Sequence, residues 1–185
     1  MCQSESEAHR GPAGKQIFSI PKADANYETA VDPDPLQYLL TGAEVVVPLQ
    51  VERELREMAG YDDIHAAAAT NVLAASEHYT LADPLDRADT PEKVPDRGLD
   101  EGATAGIVLA NALEADAIVT DEFRNLARIH ALLDGVQLVP TPRLVRDYAR
   151  AGHLRPEQAR VLIETIAPHR SWESNRYVQA VKESL

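Results

Sequence analysis

Three short apolar runs, each leading straight into a helical pattern, do most to limit the fold of this chain. EVVV (44–47), DAIVT (116–120) and VQLVP (136–140) are rich in β-branched residues. A strand buried on both faces reads as such a continuous run, whereas a half-exposed strand alternates. Strands alternating with helices imply a mostly parallel sheet, because parallel neighbours need a crossover connection that covers the sheet. QIFSI (16–20), closed by Pro21, and YTLAD (79–83) are two further strand candidates.

The helices announce themselves by punctuation and spacing. DPDPLQYLLTG (32–42) opens on prolines and closes on glycine. Pro48 opens a helix running to about Ala59, with Val51, Leu55 and Met58 as its apolar stripe. DDIHAAAATNVLAASEHY (62–79) begins with two aspartates, which suit the positive end of a helix dipole. Residues 84–98 hold three prolines and no periodicity, which reads as a loop. Segments 99–115, 122–135, 141–152, 155–169 and 172–185 read as helices. Residues 1–15 are a polar tail, 16–152 an α/β domain, and 153–185 a C-terminal helical extension.

Charge narrows the setting. Thirty acids against eighteen bases give −12, and lysine occurs only at 15, 22, 93 and 182. An acidic, lysine-poor surface is the pattern of a halophile's protein, where carboxylates keep the chain soluble in salt. No apolar run approaches the ~20 residues of a membrane-spanning helix, and the polar start offers no signal peptide. Cys2 is the lone cysteine, which excludes disulfide frameworks and cysteine zinc sites and fits a cytoplasmic protein.

The chemistry must come from carboxylates. There is no Gly-x-Ser-x-Gly, no glycine-rich phosphate loop, and the six histidines form no i, i+3 or i, i+4 pair. Glu54 borders the stripe of its helix, while Glu52 and Glu57 point further from it. Asp100 stands where a helix begins and suits its N-cap, seven residues before Ile107 on the same face. Asp121 ends a strand, and ligands in open parallel sheets gather at such carboxyl ends. Asp24 lies just beyond the first strand. Carboxylates gathered at one sheet edge make an oxygen-only site, suited to Mg²⁺ or Mn²⁺ rather than zinc. Arg124 and Arg128 form a helical i, i+4 pair beside Asp121 that would guide phosphates, and residues 141–160 carry a local +3. The alternative for these arginines is pairing with nearby acids.

VVVPLQVEREL (45–55), LDEGATAGIVLA (99–110) and AIVTDEFRNLARIH (117–130) resemble, in order and spacing, three blocks of the PIN-domain family. RSWESNRYVQ is similar to the tail of a haloarchaeal subgroup. The resemblance implies a three-layer α/β/α sandwich with a short, mostly parallel sheet, followed here by C-terminal helices. It also implies an RNA-cleaving enzyme that gathers acids around one or two divalent ions. Many relatives are toxins with an antitoxin partner, and the family often forms homodimers. By position, Glu54, Asp100 and Asp121 match the family's catalytic and metal-holding acids. Two places depart. The family's glutamate three residues after the helix-opening aspartate is Ala103 here. Asp24 matches the first-strand aspartate only if the segment is shortened, since without a gap Ile20 stands there. The departures raise an alternative: a PIN-fold binding or regulatory protein that has lost metal and nuclease activity.

Overall fold

A computed structural model describes residues 15–18, 39–40, 42–62, 64–86 and 98–185. Strands β1 (Lys15–Phe18), β2 (Glu44–Pro48), β3 (Thr80–Ala82), β4 (Ala117–Val119) and β5 (Gln137–Val139) form one sheet. Their order is β3-β2-β1-β4-β5, with every pairing parallel. The chain therefore builds one side of β1 first, then crosses over and builds the other. That reversal puts a topological switch point beside β1, where open α/β sheets bind their ligands.

Strand periodicity sorts the core into two layers. Val45, Val47, Ala117, Val119 and Val139 pack on one face of the sheet against helices α1 (Leu49–Met58) and α2 (Ile64–Ala74). Val46 and Ile118 point the other way, into a cluster with α3 (Glu101–Ala112) and α4 (Leu126–Leu132). Successive strand residues face opposite sides, so continuous apolar runs are what a sheet covered on both faces requires. The architecture is the three-layer α/β/α sandwich expected from the sequence.

A third cluster lies at the C-terminal end. Val145 and Tyr148 of α5 (Thr141–Arg150) pack with α6 (Pro156–Ile166) and α7 (Arg176–Glu183) around buried Trp172. Asn175 caps α7, its side chain accepting from the Tyr177 and Val178 N–H groups. Phe123, from the loop after β4, joins this cluster: its ring meets Trp172 edge-on at 5.7 Å and Tyr177 at 5.8 Å. The C-terminal helices are thereby tied to the edge of the sheet where Asp121 lies.

Several boundaries differ from the sequence reading. The helix expected over 62–79 runs only from Ile64 to Ala74, and Ser76–His78 is a separate 3₁₀ turn. Ala75 breaks it with ψ at 13°, just before Ser76, a residue type whose side chain competes for backbone groups and favours turns. The helix expected from residue 122 starts only at Leu126. Residues 121–125 form tight turns instead, with the Phe123 N–H donating to the Asp121 carbonyl at 2.7 Å and Asn125 to that of Glu122. The expected helix at 32–42 and most of the 84–98 loop fall largely outside the described residues. No helix among the described residues is long and apolar enough to cross a membrane.

Candidate functional site

Glu54 reaches from α1 to the start of α3, and a glycine makes room for it. A Cβ placed at Gly102 would stand 2.9 Å from Glu54 Oε1 and 3.1 Å from Oε2. The carboxylate therefore lies flat against the first turn of α3, where any larger residue would displace it. Asp100 caps that same turn: its Oδ1 accepts from the Ala103 N–H at 2.6 Å. An N-cap aspartate satisfies one of the unpaired amide groups and complements the dipole. One residue before each partner of the Glu54–Gly102 contact, Arg53 and Glu101 form an exposed ion pair at 3.1 Å. The fold thus brings Glu54 and Asp100 to one helical turn.

Asp121 is held differently. Its Oδ1 accepts from the Thr141 N–H at 2.7 Å, so it caps the start of α5 rather than the helix that follows it in sequence. Thr141 and Pro140 are buried, and the bond clips the end of β4 to the end of β5. Among the described residues, no three His, Cys, Asp or Glu side chains form a group that could hold a metal ion. Asp24 lies outside the described residues. The donors have the right chemistry for a hard divalent cation, carboxylate oxygen throughout. Two of these acids meet the first turn of α3, Glu54 from α1 and Asp100 as the cap, while Asp121 is anchored at the start of α5.

Other expectations are corrected. Glu52 does not point away from the core: it is buried, with Arg56 Nη2 at 2.7 Å from its Oε1. Nearby, burial and the Glu52 charge push the Tyr79 hydroxyl pKa up. Arg124 and Arg128 are not a helical pair, because Arg124 lies in the turn before α4. Arg128 instead packs on Gly98: a Cβ there would be 2.8 Å from its Nη1, and the positive φ of 64° also suits glycine. The basic run at 141–160 is largely engaged within the protein. Arg143 and Arg146 pair with Asp147, Arg155 bonds Gln158, and Arg160 donates to the Lys182 carbonyl.

Residues that spacing could not reveal complete the surroundings. A cleft of about 510 Å³ is lined by Glu54, Glu57, Met58, Tyr61, His65, His169, Arg170 and Ser171. A second, of about 390 Å³, is lined by Asp121, Glu122, Phe123 and Arg124 together with residues of the 170–175 segment. His65 and His169 are over a hundred residues apart, so no local pattern joins them. The local signal here is the RSWESNRYVQ tail (170–179), which carries the family resemblance.

The parallel 3-2-1-4-5 sheet with helices packed on both faces defines an open, three-layer α/β/α domain. A sequence model of the PIN-domain family (DUF3368) matches residues 35–185, and this chain belongs to that family. Among curated proteins, it is similar to the nicotinate-nucleotide–dimethylbenzimidazole phosphoribosyltransferase of Desulforudis audaxviator (strain MP104C). The two are 35% identical over 113 residues, which is 61% of this chain and 30% of that protein. The chain spans less than a third of the length of that relative. No solved structure gives a significant match.

Proposed function

We propose that this chain is a ribonuclease that hydrolyses RNA phosphodiester bonds, with Glu54, Asp100 and Asp121 as its acids and Mg²⁺ or Mn²⁺ as its cofactor. The observation that supports this most is the contact of Glu54 with Gly102, which puts two carboxylates on one helix turn at the sheet's carboxyl edge. In this reading Glu54 and Asp100 would hold the ion, with Asp121 and Asp24 as further ligands. A divalent ion there would supply an activated water and offset the charge developing on phosphorus. The chain's own residues set the stage for that chemistry. Gly102 keeps space for the Glu54 carboxylate, Asp100 aligns the first turn of α3, and Asp121 fixes the β4 end against α5. Arg124 and Arg128 would contact phosphates. The same reading carries the partners implied by the family: RNA, an antitoxin-like protein and a second copy of the chain. The acid excess supports a halophile's cytoplasm as the setting, so assays belong in molar potassium chloride.

Calorimetric titration with Mn²⁺ and cleavage of an unstructured RNA test the proposal together. The wild type should bind Mn²⁺ and cut, and Glu54→Gln should lose both while staying folded. Two observations favour a second reading, a non-catalytic PIN-fold binding protein: Ala103 is buried where an acid would be needed, and the described acids make no group of three. Absence of Mn²⁺ binding by the folded wild type would establish that reading over the first.

A further inference from the structure

The two clefts beside the acids share one corner, Arg170–Ser171. Glu54 lines the cleft on one side of it and Asp121 the cleft on the other. The corner is firmly held. Ser171 has a left-handed backbone with φ at 56°, and the Trp172 N–H donates to the Ala167 carbonyl at 2.9 Å. Trp172 is itself only 2% exposed, locked edge-on against Phe123. A non-glycine residue in this conformation persists only where its surroundings over-determine it. The half-buried Arg170 side chain is therefore carried on a rigid mount between the two clefts. Tyr61, 62% exposed, lines the Glu54 cleft together with Arg170.

Glutamates and aspartates lining both clefts would repel a polyanion, so a nucleic acid needs a cation placed between them. Arg170 is the cation common to both. Its planar guanidinium matches phosphate oxygens two at a time, which an ammonium does not. An exposed aromatic face gives an unpaired base something to stack on, whatever its identity. We propose that Arg170 and Tyr61 form a subsite for single-stranded RNA. Arg170 grips a backbone phosphate at the corner while an unpaired base stacks on Tyr61. A strand lying this way runs its backbone between Glu54 and Asp121. The subsite rests on the ribonuclease reading for its purpose, but its binding chemistry needs no metal.

The test is fluorescence anisotropy with a short fluorescein-labelled oligoadenylate, in EDTA, across a salt series. The wild type binds, and its duplexed counterpart binds more weakly because no base is available to stack. Arg170→Gln lowers the slope of log affinity against log salt by about 0.7, the share of one single-strand phosphate contact. Tyr61→Ala weakens binding by about five- to tenfold, and Tyr61→Phe restores it. A merely structural role for Arg170 would leave the slope alone. No binding by the wild type, or an unchanged slope in folded Arg170→Gln with unchanged affinity in Tyr61→Ala, overturns the subsite. Should Arg170→Gln fail to fold, the exposed Tyr61 pair decides by itself. The metal is chelated throughout, so the two readings fail separately. Loss of slope and affinity in the variants, with no cleavage by the wild type in Mn²⁺, supports the subsite and sinks the nuclease.

Discussion

Glu54 and Asp121 line separate clefts at the carboxyl edge of the sheet, and the fold holds them in opposite ways. Glu54 is placed by missing atoms: Gly102 has no Cβ, and the carboxylate fills the space. Asp121 is placed by a bond, the one it accepts from the Thr141 amide. An acid seated over a gap depends on shape, so its place is lost when the gap is filled. An acid that caps a helix has a structural duty already, whatever else it does. The two ends of the candidate site should therefore separate cleanly when stability and metal binding are measured on the same variants.

The strongest way to sharpen that contrast is to add a third acid to the turn shared by Glu54 and Asp100. Ala103 is 3% exposed, so Ala103→Glu places a carboxylate in a buried position. An uncompensated buried charge typically costs about 3–5 kcal/mol. In EDTA this variant should melt far below the wild type. Mn²⁺ should then recover about 2.7 kcal/mol at a hundredfold excess over its dissociation constant. A melting curve indifferent to Mn²⁺ would mean the turn is no metal site.

Next in size is the cap at the other end. Asp121→Ala removes an acceptor from a partly buried amide and should cost about 1–2 kcal/mol by urea denaturation. Asp121→Asn keeps an oxygen there and should retain most of that stability. Glu54→Gln keeps the side chain's shape and an accepting oxygen and should cost less, under about 1 kcal/mol. Equal losses for Asp121→Ala and Glu54→Gln would erase the distinction. Asp100 belongs with Asp121 on this scale: Asp100→Ala should cost about 1 kcal/mol through its lost cap.

How much of this was legible beforehand follows from where the information lies. Strand runs such as EVVV and AIVT carry their burial in their own composition, so the parallel sheet and its two covering layers could be read directly. Asp100 was readable as a cap because capping is local, three residues from donor to acceptor. Asp121 was not, since its donor is twenty residues away across β5. Glu52 misled for a related reason. Helical phase places it off the stripe, but in the fold it is buried, paired with Arg56 and near enough to Tyr79 for its charge to raise that hydroxyl's pKa. The corner at Arg170 is the extreme case: it meets Glu54's cleft only through the folding back of the C-terminal helices.

The smallest expected effect is also the sharpest test of how Glu54 is placed. Gly102 lies in the first turn of α3 without a positive φ, so alanine suits its backbone. Where a glycine in a helix can accept a side chain, alanine gains about 0.5–1 kcal/mol through lower unfolded-state entropy. The new Cβ would stand 2.9 Å from Glu54 Oε1, closer than real contacts allow, and the carboxylate must swing aside. Forcing a side chain off its rotamer costs about 0.5–1.5 kcal/mol, so the two terms nearly cancel in Gly102→Ala. With Glu54 already replaced by alanine there is nothing to displace, and the same substitution should show its full gain. The double-mutant cycle thus reads the crowding directly, as a coupling of about 0.5–1.5 kcal/mol between the two positions. Gly102→Ala should also weaken Mn²⁺ binding while the protein stays as stable as before. If the cycle gives no coupling, Glu54 does not rest on that turn, and the pairing with Asp100 that supports the nuclease reading goes with it.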